Sequence, residues 1–213
     1  EKVKKGTIDQ YIEDSIFEAG DWDYAMVLYH LFKDKYVCSS ITNKKWYVFN
    51  KHRWEKDEGQ RLRMAISKDL FELYSEKQSQ YLSEAQLNSE TCEPEKFQRK
   101  IKKITEILIK LKKTNDKNNI MREAMEIFFD KDFSKNIDSN PYLMCFTNGV
   151  FDFKTKEFRD GYPQDYITKT TNIHYNKFNP AANVETVNEI TQFMEQLFPL
   201  PELCRYMWDH LAS

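Results

Sequence analysis

Five cations on one side of a single amphipathic stretch are the residues of this chain best suited to chemistry. Counting 100° per residue from Phe97, Ile101, Ile104, Leu108 and Leu111 return to within about 40° of it. Arg99, Lys102, Lys103, Lys110 and Lys113 fall on the opposite side, at about 140–240°. Such a helix packs by its apolar side and presents a cationic stripe, which neutralises phosphates without reading bases. An ordinary lysine-rich, solubilising face has the same pattern. The formal charge of the whole chain is −2, yet residues 96–117 carry nine Lys/Arg against two acids, and both flanks are net acidic. The basic excess is therefore local.

A second candidate is aromatic. Trp46, Tyr47, Phe49 and Trp54 crowd one short stretch beside Lys44, Lys45, Lys51 and Arg53, the composition of a platform on which unpaired bases stack. In a strand, Trp46 and Val48 point one way and Tyr47 and Phe49 the other, so at least one pair is core. A third candidate is acidic. Glu123, Glu126 and Asp130 share a helix face at 3–4 spacing, with Asp132 close by. A metal-dependent nuclease or nucleotidyl transferase uses such a group, and a solvated helix face looks the same.

Other chemistry is missing its residues. A phosphate-cradling Gly-x-x-x-x-Gly-Lys-Ser/Thr loop needs a Gly-Lys step, and none of Gly6, Gly20, Gly59, Gly149 or Gly161 precedes a lysine. His30, His52, His174 and His210 are scattered, and no His-Glu-x-x-His or Gly-x-Ser-x-Gly occurs. Cys38, Cys92, Cys145 and Cys204 form no Cys-x-x-Cys pair, which argues against a zinc knuckle or a disulfide framework and suits a reducing compartment. The longest apolar runs, 25–29 and 142–146, fall far short of the ~18 residues that cross a bilayer. No signal-peptide layout opens the chain. It begins at Glu1 rather than Met, and a longer native protein is expected.

The elements that must hold these residues follow from periodicity. Stretches 7–19 and 21–33 read as helices, the second with Asp21 as its cap. Stretches 36–41 and 45–50 read as a hairpin turned at Thr42-Asn43-Lys44. A helix pair followed by a hairpin suits a winged-helix-like unit. Residues 58–87 read as a long, interrupted helix, 88–93 as a break, then the cationic helix, then a helix over 120–129. A second hairpin runs over 142–153, turned at Asn148-Gly149, whose residues tolerate the positive φ that a tight turn needs, and Lys154-Thr155-Lys156 turns the chain again into 157–159. Stretch 167–175 is β-prone, 179–183 reads as a boundary, and helices resume over 184–197 and 201–211. The fold class is thus α+β, predominantly helical, with two small antiparallel β-hairpin regions, divided as 1–180 and 181–213.

One segment is specific enough to name a family. Residues 143–158 (LMCFTNGVFDFKTKEF), followed by 162–171 (YPQDYITKTT) and Tyr175, resemble the domain preceding the superfamily 3 helicase motor in poxvirus-type and phage/plasmid-type helicase–primases. Residues 20–60 fit it more loosely. The resemblance implies a collar domain of a hexameric, ATP-dependent DNA helicase of a large DNA virus, with 181–213 leading into an AAA+ motor that lies beyond this sequence. ATP and Mg are implied for that motor, and no cofactor or catalytic residue for these 213 residues. DNA, other copies of the chain and replication proteins are the implied partners, with no membrane, at a replication site in the host cytoplasm. On the residues alone, the nucleic-acid contacts are Arg99, Lys102, Lys103, Lys110, Lys113, Trp46 and Trp54. A pure protein-interaction module that never touches DNA is the alternative.

Overall fold

A computed structural model describes residues 2–87, 94–179 and 181–212, so the break expected over 88–93, Cys92 and Pro180 lie outside the described residues. The chain divides into two compact units, residues 1–174 and 175–213.

The first unit opens with α1 (Lys2–Glu18) and α2 (Asp21–Phe32), which leads into a three-stranded antiparallel sheet, β1 (Tyr36–Ser40), β2 (Lys45–Asn50) and β3 (Arg53–Asp57). The expected hairpin is therefore one strand short of the sheet. The third strand begins just after Lys51, a left-handed residue with φ 56°, turns the chain, and pairs Phe49 with Trp54. Helix α3 (Gln60–Ala65), a π-helical turn (Ile66–Leu70) and α4 (Phe71–Leu87) form the long interrupted helix; α5 (Pro94–Lys110) and α6 (Thr114–Ile127) follow. Ser67 Oγ donates to the Leu111 carbonyl at the π turn, and Lys112 Nζ donates to the Ser67 carbonyl at 2.7 Å. The hydroxyl and the carbonyl of Ser67 in the π turn thus both hold the α5–α6 connection.

Apolar side chains from helices α1–α6 and the first two strands of this half meet in one core. Ile12 and Ile16 of α1, Leu28 of α2, Trp46 and Val48 of β2, Ile104 and Ile107 of α5 and Ile120 of α6 are all buried there. Each such side chain contributes roughly 1.5–3 kcal/mol relative to exposure. Inside it, Ser15 Oγ donates to the Ile12 carbonyl and lies 2.5 Å from the Tyr74 hydroxyl, so the buried polar groups of α1 and α4 satisfy one another. At its edge Glu13 takes Lys77 at 3.0 Å and Lys100 at 3.2 Å, together with the Tyr81 hydroxyl, tying α1, α4 and α5 together.

The opposite face of the first sheet, Tyr47 and Trp54, packs on Phe133 of the short helix α7 (Phe133–Asn136). A second three-stranded antiparallel sheet follows, β4 (Leu143–Phe146), β5 (Gly149–Asp152) and β6 (Glu157–Arg159), the last reached through the turn expected at 154–156. Stretch 167–175, β-prone by composition, forms no strand. It binds through single contacts instead: Ile167 O accepts from Trp54 N, and Cys145 O from Thr171 N. Gly161 lies so close to the His52 backbone that an added methyl group would overlap it, and its N–H donates to His52 Nδ1 at 3.2 Å.

The second unit holds α8 (Val184–Leu197) and α9 (Pro201–Ala212). Met194 and Cys204 are buried, whereas Phe193, Leu197, Leu200 and Leu211 are exposed. No helix among the described residues is long and apolar enough to cross a membrane.

Two outcomes are expected. Gly161→Ala forces the 161–168 segment off His52 and lowers stability by roughly 1–3 kcal/mol or more, read from urea unfolding midpoints. Burial alone raises the Glu13 carboxyl, but hydrogen bonds from Tyr81, Lys77 and Lys100 outweigh it and hold the group below the usual 4.5. A carboxyl lowered in the folded chain contributes stability above its unfolded value and loses it as pH falls through the folded one. Stability should therefore decline as pH drops below about 4.5. Glu13→Gln should flatten part of that acid limb, and an unchanged limb in urea titrations at several pH values would refute the assignment.

Candidate nucleic-acid interface

Helix α5 ends at Lys110; Ile104 and, just past its end, Leu111 are buried as expected, Phe97, Ile101 and Leu108 are partly buried, and Ile107, outside the expected stripe, joins the core. Its cations divide into two groups. Lys103 Nζ donates to the Phe17 carbonyl at 3.0 Å and stands over the Phe17 ring; Lys110 Nζ reaches the Ala19 carbonyl at 3.4 Å and stands over the Tyr24 ring. Both carbonyls lie at the C-terminal end of α1, where helical carbonyls lack partners and a positive charge is favoured. These two lysines hold α1. Lys102 and Lys113 are exposed; Arg99 is exposed and engaged in an interaction of its own. Only four of the five cations lie on α5, because the helix ends at Lys110 and Lys113 is the extended residue that caps α6, so they form no single free stripe.

The aromatic residues go elsewhere. Trp46 is 1% exposed and packs edge-on to Phe128 in the main core. Trp54, 3% exposed, packs against Phe49 and Phe133, and its Nε1 donates to the Pro163 carbonyl at 2.8 Å. A base stacks only on an open ring face. In this structure both rings are walled in, so the stacking platform expected from Trp46 and Trp54 is a pair of core residues. Arg53, beside them, donates to the Thr168 carbonyl and pairs with Glu55 at 3.3 Å.

Other cations of the hairpin do meet solvent. The β1–β2 turn, the end of β3, α3 and α6 enclose a trough in two adjoining parts of about 520 and 430 Å3, sharing Lys44, Trp46, Glu58 and Gln60. Lys45 and Lys56 line the first part, Arg63, Arg122, Met121 and Met125 the second. These cations come from four elements across some eighty residues of sequence, so no local pattern announces them.

The acidic candidate is partly consumed by structure. Asp130 Oδ1 accepts from the N–H groups of Asp132 and Phe133, opening α7, and Asp132 pairs with Lys135 at 3.1 Å. Among the described residues no group of His, Cys, Asp and Glu is placed to hold a metal ion. Cys38, Cys145 and Cys204 are buried and unbridged.

The Asn148–Asp152 segment is a structural device. Neither Asn148 nor Gly149 has a positive φ; the turn residues are Thr147 and Asn148, and Gly149 already pairs with Phe146 in the ladder. Glycine is needed for close approach instead, since a Cβ there would sit 2.6 Å from the Phe158 ring and 2.7 Å from the Arg159 carbonyl. Val150 is fully buried, and Asp152 Oδ1 accepts from the Lys154 and Thr155 amides, folding the next turn. Downstream, Asp165 takes Arg159 in a two-point pair at 2.8 Å and 2.8 Å, and Asp138 accepts from the Thr168 amide and hydroxyl. A model of the family described as "D5 N terminal like" matches residues 25–199, which include this whole segment. The chain belongs to that family. Its relatives include a putative helicase of Acanthamoeba polyphaga mimivirus, 34% identical over all 213 residues but only 22% of that protein's length. Two more are putative helicases of Invertebrate iridescent virus 3 and Frog virus 3, each 35% identical, over 54% and 38% of this chain and 12% and 8% of those proteins. This member of the D5 N-terminal-like family thus spans about a fifth of the mimivirus relative's length.

The division of labour on α5 is measurable. Lys103→Ala with Lys110→Ala should lower stability by roughly 1–2 kcal/mol, the sum of two charges at a helix end. Lys102→Ala with Lys113→Ala should leave it within roughly 0.5 kcal/mol. Equal losses in thermal or urea unfolding would contradict the assignment.

Proposed function

We propose that this chain is a non-catalytic accessory domain of a viral replicative helicase–primase, supporting assembly of a hexameric ring and contacting DNA without reading its sequence. The observation that carries the reading is kinship along the full chain to a putative viral helicase several times longer. ATP hydrolysis with Mg then belongs to an AAA+ motor elsewhere in such a protein, and the work of this domain to DNA replication in the host cytoplasm, alongside other replication proteins. Exposed cations on an otherwise acidic chain favour contact with a polyanion through charge alone.

A second reading, a protein-interaction module that never meets DNA, is favoured by the exposed Phe193, Leu197, Leu200 and Leu211 of the second unit. Fluorescence anisotropy with labelled oligonucleotides of unrelated sequence separates the two. Under the first reading they bind with similar affinity, and log K falls linearly with log salt concentration. Absence of binding at low salt leaves only the interaction role. Light scattering on the same samples tests assembly, which should rise with concentration.

A further inference from the structure

We propose that the trough between the β1–β2 turn and α6 is a binding groove for the backbone of single-stranded DNA, with Lys44, Lys45, Lys56 and Arg122 as its phosphate-facing cations and the Trp46 indole N–H as a donor in its floor. The inference rests on the DNA contact proposed above and moves its centre away from α5.

Three observations carry it. The first is charge without a partner. Lys103 and Lys110 of α5 are bound to carbonyls, and Lys100 to Glu13. Among the described residues no carboxylate or carbonyl is paired with the side chains of Lys44, Lys45, Lys56 or Arg122, all of them exposed. Of the two acids in the lining, Asp57 accepts from the Gly59 amide and lies 3.7 Å from Arg61, while Glu58 is exposed, so basic side chains still outnumber acidic ones around the trough. Cations left unneutralised around a concave surface are what a polyanion exchanges for its counterions.

The second observation is the floor. Trp46 is almost wholly buried, yet it lines both parts of the trough. Its pyrrole edge, Cδ1 and Nε1, lies against Gly59, where a methyl group would come within 3.1 Å of both atoms. Among the described residues this indole N–H has no hydrogen-bond partner, whereas that of Trp54 is satisfied by Pro163. The buried side-chain donors and acceptors left without a partner among the described residues are Tyr24 Oη and His30 Nε2, so the Trp46 N–H is one that meets solvent. Its open side is the trough, where a ligand oxygen can take the place of water as acceptor.

The third is the mixture of surfaces. Met121 and Met125 add an apolar wall, and Gln60 and Asn118 add amides. A flexible single strand can lay a sugar or base edge on thioethers while its phosphates meet the cationic rim. A duplex keeps its bases stacked inside and offers only phosphates. An acidic peptide would match the charges and leave the apolar wall without a partner.

The test is anisotropy of a fluorescein-labelled single-stranded oligonucleotide, with the matching duplex and poly-glutamate as competitors. The groove variant is Lys44→Glu, Lys56→Glu, Arg122→Glu. A neutral version, Lys44→Asn, Lys56→Gln, Arg122→Gln, guards against misfolding, because asparagine tolerates the left-handed φ of 49° at position 44. The control is Arg99→Gln, Lys102→Gln, Lys113→Gln, and circular dichroism confirms each fold. Loss of at least about tenfold in affinity at low salt, with the log–log salt slope shallower by about 2, is expected for three lost phosphate contacts. The α5 control should change affinity less than about threefold. In the wild-type chain labelled with 15N, the indole signal lost in Trp46→Phe should shift on adding the oligonucleotide. If the wild-type chain binds and the groove variants bind equally well, the groove assignment is overturned while the DNA contact stands. If the wild-type chain binds no DNA, both fall. Displacement by poly-glutamate as effective as by unlabelled strand, or tighter binding of the duplex, also overturns it.

Discussion

Helix α1 must find partners for the carbonyls at its C-terminal end, and this need organises the basic region of the molecule. Ala19 leaves the helix with a positive φ of 57°, and the Phe17 and Ala19 carbonyls point beyond the helical ladder. Lys103 and Lys110 reach them from α5, while Lys100 turns to Glu13 within the Tyr81–Lys77 cluster. Charges drawn in this way are held by backbone dipoles and aromatic faces and are poorly placed to meet a ligand. A helix that is strongly cationic in sequence is thereby turned largely into a fastener between α1 and α4. Lys102 and Lys113 stay exposed, and the remaining cations of interest ring a trough to which they come from different parts of the fold.

The same economy explains the family-like segment. Gly149, Val150 and Asp152 are respectively a close approach, a core residue and a turn cap. The run after it has no ladder of its own and is tied by Asp165 to Arg159, by Thr168 to Asp138, and by Pro163 and Ile167 to Trp54. Trp54 thus ties the first sheet to the 163–167 segment through both its backbone and its indole. Demands of this kind fall on particular residue types, which is how a structural segment can identify a family without carrying any catalysis.

Kinship and electrostatics support the function at different depths. The relationship places the chain beside helicases of large DNA viruses, over a small part of their length. The charge arrangement speaks only to the class of partner, a polyanion met without base-specific contacts. The apolar residues exposed on α8 and α9 belong to a separate unit and point toward protein contact, which is compatible with a domain that serves both an assembly and a strand.

The sequence by itself determined what repeats locally. The 3–4 spacing in α5, the alternation that sends Trp46 and Val48 to one face and Tyr47 and Phe49 to the other, and the helical character of 184–211 are set by the geometry of one element at a time. Family membership was legible for a related reason, since the 143–171 segment is continuous in the chain. Tertiary structure decided the rest. A third strand, β3, joins the first hairpin, and the β-prone 167–175 stretch is held by single contacts rather than by a ladder. Spacing could not say which lysines would be consumed, because that depends on α1 ending beside α5. It could not show the trough either, since Lys44, Lys56 and Arg122 become neighbours only when sheet and helix pack around Trp46.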